Sequence, residues 1–317
     1  MRPTMTIDEW MPIFRREYLE RFIPEGGSTV KFVADLGAGC DLVTQIIDGA
    51  RAVGQVAVTI DAGSTSVQHI ERWFTSVAAQ LDWRLLTASV LDRFASSAGW
   101  PVPGKGVSGA ALDAIATANR VDRDLVRMTL DNSIATRVLR DQALAHEFRI
   151  AMTWLCRARL LDGPVEQEQA MIRWLRGEAR PISTVKAFQL YTGPNRSNAR
   201  SLLESLFTWV HRGGFPGTTV VVDGRALTAD RRAGDLATYT RSARLDAYEL
   251  LRQFIDATDR LSAAAIVVVV DAAFLDQSPG GVGAGSYQAL NLRTWDEVHD
   301  RTLPNPLASL VRIGAAR

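Results

Sequence analysis

Four short runs of consecutive apolar, largely β-branched residues punctuate this chain, at 30–34, 55–61 (QVAVTID), 218–222 and 263–270. They lack the alternation of a strand with one wet face. Continuous runs of this kind read as strands buried on both faces, the pattern of parallel sheets covered by helices. The spacing predicts strands near 30–34, 56–60, 218–222 and 265–270, parallel and in one sheet. Three of the four runs end in an acid, Asp61, Asp223 and Asp271. Sites in open parallel sheets lie at the carboxyl ends of the strands, so these aspartates are candidate cleft-lining residues.

Between the runs the apolar positions recur at helical spacing. Trp10, Ile13, Phe14, Tyr18, Leu19 and Phe22 mark a helix over 8–23, which Pro24, Gly26 and Gly27 end. Leu42, Val43, Ile46 and Ile47 form the stripe of the next helix, completing a βαβ unit. From about 67 to 176 the pattern is almost wholly helical, interrupted by 99–109 (GWPVPGKGVSG), which reads as an exposed loop. Trp73, Trp83, Trp154, Trp174 and Trp209 fall in apolar stripes and are expected in the core. The expected fold class is α/β: a parallel sheet flanked by helices, with a large helical insertion. The expected division is 1–66 as the N-terminal helix and first part of the core, 67–190 as helical insertion or cap, and 191–317 as the rest of the core with its tail.

Composition narrows the class little. Of 317 residues, 47% are hydrophobic and 22% charged, enough apolar content for a large core. The formal net charge of +1 gives no global pull toward nucleic acid or an anionic membrane. The longest apolar run is far short of the roughly 20 residues that span a bilayer. The charged N-terminus lacks the apolar region of a signal peptide, so the cytoplasm is the expected location. Four scattered histidines and two cysteines offer no metal-ligand spacing, and no G-x-S-x-G elbow is present.

The stretch KFVADLGAGCDLV (31–43) carries the most specific chemistry. A strand, a glycine turn and a helix are the layout of the phosphate-binding loop G-x-x-x-x-G-K-[ST]. Gly37 and Gly39 are present, but Ala34 stands at the first glycine, Cys40 at the lysine and Asp41 at the Ser/Thr. The lysine charge and the metal-binding hydroxyl are therefore missing. A carboxylate near a phosphate at about 4 Å is repelled by about 4 kcal/mol per charge pair at an effective dielectric near 20. The same Asp41 carboxylate can cap the helix instead, for about 1 kcal/mol. Asp223 stands at a strand end, where P-loop proteins place the acid that holds magnesium, and Gly224 follows it. Arg225, Arg231, Arg232, Arg241 and Arg244 are interleaved with Asp223, Asp230 and Asp235, the pattern of a solvated loop rather than a nucleic-acid groove. Cys40 beside a helix N-terminus is a candidate thiolate that Asp41 opposes.

Five stretches in order, VKFVADLGAG, AMIRWLRGE (170–178), WVHRGGFPGTTVVVDG (209–224), AYELLRQFIDATD (247–259) and FLDQSPGGVGAGSYQALNLR (274–293), resemble the ATP-binding-domain proteins of bacteriophage-exclusion (BREX) defence systems. The resemblance implies that the α/β sheet is P-loop NTPase-like, with a P-loop, a W-L-x-G-E helix, a G-[FY]-x-G lead-in to an acidic strand end, an L-R-x-x-I-D helix and a G-x-x-x-Y-x-x-L-x-x-R tail. It covers about residues 28–295. It implies lysine and Ser/Thr where Cys40 and Asp41 stand, and Asp-Glu where Asp223 and Gly224 stand. It also makes Arg252 and Arg293 candidates for phosphate or subunit contact. Three functions remain open. The first is a scaffolding or regulatory subunit with a degenerate nucleotide site, no cofactor and no metal, acting through a protein partner or self-association and reaching nucleic acid only indirectly. The second is weak or partner-completed binding of ATP and magnesium. The third is an enzyme that has repurposed the strand-end cleft.

Overall fold

The computed structural model describes residues 3–102, 107, 109–229, 239–294 and 303–315. The middle of the 99–109 loop and the charged residues Asp230, Arg231, Arg232 and Asp235 lie outside the described residues. The chain forms two compact units. Met1–Trp73 and Phe215–Arg317 make an α/β unit, and Phe74–Gly214, inserted between its two halves, makes a helical one.

In chain order, α1 (Ile7–Phe14) runs on as a π-helical stretch to Phe22 and is followed by β1 (Ser28–Leu36), α2 (Leu42–Ala52), β2 (Val56–Asp61) and α3 (Ile70–Gln80). The helices α4 (Trp83–Ser97), α5 (Gly109–Asn119), α6 (Arg123–Ile134), α7 (His146–Leu160), α8 (Val165–Leu175), α9 (Ser183–Lys186) and α10 (Ala199–Arg212) come next. The chain closes with β3 (Thr218–Asp223), α11 (Arg241–Asp256), β4 (Ala264–Asp271), α12 (Gln288–Thr294) and β5 (Leu310–Gly314).

The five strands form one sheet in the order β2-β3-β4-β1-β5, and every pairing is parallel. All four predicted strands are in it. The fifth, β5, was not predicted. It is a five-residue edge strand with an alternating burial pattern, so it lacks the continuous apolar run that marks the others. The chain leaves β1 toward β2 and leaves the adjacent β4 toward β5. The carboxyl ends of β1 and β4 therefore bound a topological switch point, where crevices of open α/β sheets form.

The sheet is buried on both faces. On one, Val33, Val221, Val267, Val269 and Ile313 pack in a cluster with Trp10, Phe14, Ile46 and Ile47. On the other, Phe32 stacks on Phe274 with centroids 5.4 Å apart, and Tyr248 of α11 meets Phe274 edge-on at 5.7 Å. Strand residues that point in opposite directions are thus equally dry, which explains the unbroken apolar runs. In the helical unit Phe148 lies between Trp83 and Trp209, at 6.3 and 6.2 Å. Trp73, Trp83, Trp174 and Trp209 are buried as expected. Trp154 departs from that expectation: it is only half-buried, packed edge-on against Phe188.

Ile266 sits fully buried in β4, between β1 and β3. Replacing Ile266 with Val is expected to cost about 0.5–1.5 kcal/mol and with Ala about 2–5 kcal/mol, by lost burial and the cavity left behind. Urea denaturation checks this; an unchanged midpoint for the alanine variant would contradict the central place of β4.

Candidate functional site

Four of the five strands, β1 to β4, carry an aspartate at or beside the carboxyl end, and all four aspartates are already hydrogen-bonded. The register sets Asp35 of β1 beside Asp271 of β4, and Asp61 of β2 beside Asp223 of β3. Asp35 accepts from the amides of Gly37 and Ala38, both at 3.0 Å. Asp61 accepts from the Gly63 amide at 2.7 Å and the Ser64 hydroxyl at 2.9 Å. Asp271 accepts from the Thr228 hydroxyl at 2.6 Å and the Phe274 amide at 3.2 Å. Asp223 accepts a forked pair from Arg225, Nε at 2.9 Å and Nη2 at 2.6 Å, the bidentate geometry that guanidinium and carboxylate share.

The loop after β1 turns on two glycines in left-handed backbone. Gly37 and Gly39 have φ of +89° and +73°, conformations a side chain rarely adopts, and open space lies around both. Ala34 is fully buried within β1. Asp41 caps α2, accepting from the amides of Val43 at 3.1 Å and Thr44 at 3.4 Å and from the Thr44 hydroxyl at 2.6 Å. These bonds, the Thr44 hydroxyl first, hold the Asp41 carboxyl below its usual range. The Cys40 thiol is pushed up, by burial first and then by Asp35, Asp8 and Asp41, which disfavours a reactive thiolate. The Gly37 and Ala38 amides of the loop and the Val43 and Thr44 amides at the start of α2 are thus bonded to the chain's own carboxylates.

Arg225 supplies positive charge here. Its guanidinium is held more firmly protonated than usual, first by its hydrogen bond to Asp223, with Asp35 and Asp41 adding to the effect. Gly224 packs against β4, where an added Cβ would lie 3.2 Å from both the Val269 carbonyl oxygen and a Val268 methyl. A glutamate at that position would crowd the neighbouring strand.

Arg252 and Arg293 are brought together, but with each other's acids. Arg252 donates a forked pair to Glu249, 2.7 Å for each bond, and also reaches Asp256. Arg293 of α12 bonds the same Asp256, through Nη2 at 2.8 Å and through Nε. The Tyr287 hydroxyl donates to Glu249 at 2.5 Å. The C-terminal end of α11, which carries Asp256, leads toward the start of β4 at the amino edge of the sheet. Arg252, chiefly through its hydrogen bonds, draws the Glu249 carboxyl down to about 2. Arg293, ahead of Arg252, lowers that of Asp256.

Sequence reasoning missed Asp35, the ligation of Asp223 by Arg225, and the carboxylate partners of the two arginines. The signals were present. Asp35 ends an apolar run as the other three aspartates do, and Glu249, Arg252 and Asp256 stand three and four residues apart, on one helix face.

The family model described as BREX system ATP-binding protein BrxC/D matches residues 21–315, and the chain belongs to that family. The resemblance read from the five motifs is borne out. No curated protein and no solved structure matches the chain. No helix among the described residues is long and apolar enough to cross a membrane.

Glu249, Asp256 and Asp41 all titrate below their unfolded values when folded. A depressed carboxyl contributes stability above its unfolded pKa, about 4, and loses it as pH falls through the folded value. Melting temperature is therefore expected to fall steeply between about pH 4.5 and 2, and less steeply in Glu249→Gln. Scanning calorimetry across that range checks it; identical slopes would contradict the network.

Proposed function

We propose that this member of the BrxC/D family is a scaffolding or regulatory subunit whose nucleotide loop is closed by its own side chains. The observation that supports this most is the replacement of three ligand contacts from within. Asp35 takes the Gly37 and Ala38 amides, Asp41 takes the Val43 and Thr44 amides at the start of α2, and Arg225 takes the carboxylate that would bind metal. A magnesium-bound triphosphate does not fit this set. It would meet two carboxylates where its phosphates need donors, and a guanidinium where its metal needs an acid. The function then resides in surfaces, met by a protein partner or a second copy of the chain, beside an active ATPase or DNA-acting enzyme.

One observation favours the second reading, weak or partner-completed ATP binding. Gly37 and Gly39 are in left-handed backbone with open space around them, so a partner that displaced Asp35 and Asp41 would leave room for a phosphate at the loop. The repurposed-cleft reading fares worse, because the strand-end aspartates are already bonded and the Cys40 thiol is pushed up.

The purified chain is expected to show ATP hydrolysis no higher than buffer, and to co-purify with a neighbouring-gene protein or scatter light as an oligomer. Cys40→Lys with Asp41→Thr is expected to leave phosphate affinity unmeasurable until Asp35→Gly is added. Turnover by the unaltered chain that Asp223→Asn abolishes would overturn the degenerate site. A strict monomer without a co-purifying protein would overturn the scaffolding role.

A further inference from the structure

The two units carry opposite charge. The helical unit holds eighteen Lys and Arg against thirteen Asp and Glu, and the α/β unit eighteen against twenty-two. Within the helical unit a groove of about 530 Å³ lies between the α3–α4 corner and α8, inside the roughly 300–1,000 Å³ range of ligand pockets. Arg84, Arg173 and Arg176 line it with Gln80 and Gln169, over a floor that includes Trp83.

The three arginines are not equivalent. Arg84 is balanced by Glu168 at 3.0 Å. The acid that also lines the groove, Asp82, caps α4 by accepting from the Leu85 amide at 3.0 Å. Arg173 and Arg176 have no hydrogen-bond or ion-pair partner for their side chains among the described residues, and the Arg176 Nε is buried with none. They stand three residues apart at the end of α8, on one face. The helix end does not account for them. Its carbonyls are already bonded, Arg173 by the Glu178 amide and Trp174 by the Gly177 amide. A buried guanidinium donor without an acceptor is costly, and an oxyanion satisfies it, since the fork matches phosphate and carboxylate alike.

We infer that this groove is a binding site for a small oxyanion-bearing ligand, held by Arg173 and Arg176, with its phosphate or carboxylate on the guanidinium pair and its body over Trp83. The site belongs to the helical unit and is independent of the loop after β1.

Calorimetric titration of the full chain with pyrophosphate and, separately, with citrate tests it and tells the two anions apart. Binding of either is expected in the millimolar range or tighter, weakened about tenfold or more in Arg173→Ala and in Arg176→Ala. Arg173 is exposed, so its variant keeps the fold even if the Arg176 variant does not. Arg196→Ala removes an exposed charge outside the groove and is expected to change nothing. Failure of both anions to bind, or equal weakening by Arg196→Ala, would overturn the assignment.

Discussion

The loop between β1 and α2 is shaped by a requirement of the backbone: the first amides of a helix have no partners inside it and call for acceptors from outside. Leaving one unbonded costs about 1–3 kcal/mol where water is excluded. A phosphate-binding loop keeps these donors for its ligand. This chain supplies carboxylates from Asp35 and Asp41 instead. Two negative charges then stand at the loop, and that in turn favours a cation close by. Arg225 meets the need and at the same time takes the Asp223 carboxylate. One choice of acceptor thus propagates through the strand-end cluster, and the loss of lysine, hydroxyl and glutamate at positions 40, 41 and 224 belongs to the same arrangement.

The motifs farther along the chain serve a different end. The L-R-Q-F-I-D stretch of α11 and the tail containing Tyr287 and Arg293 meet in one network built on Glu249 and Asp256. Its members are partly exposed, so each pair is worth little alone. Their weight lies in connecting α11, which covers the sheet, to α12 and the segment before it.

Much of the fold was legible because both faces of the sheet are covered. Burial on two sides forces unbroken Val and Ile runs, and those runs gave four strands of five. The strand β5 escaped because an edge strand with alternating burial has no such run. The loop was legible as a template with substitutions. What filled it was not, since Asp35 reads as one more residue of an apolar strand until the turn folds its carboxylate onto Gly37 and Ala38. Arg225 is adjacent in sequence to Gly224, yet its role depends on a 3₁₀ turn, Arg225–Leu227, that turns it back on Asp223. Arg252 and Arg293 were found by position, while their partners needed the packing of two helices.

Hydrogen exchange at the amides of Gly37, Ala38, Val43 and Thr44, with and without millimolar magnesium–ATP, tests the central claim most directly. It reads the contested donors themselves and ignores nucleotide bound anywhere else. Exchange at these four amides is expected to be unchanged by nucleotide in the unaltered chain and to quicken when Asp35 or Asp41 is replaced by alanine. Strong protection of the same amides by magnesium–ATP in the unaltered chain would show that a phosphate displaces the carboxylates, and would contradict the account.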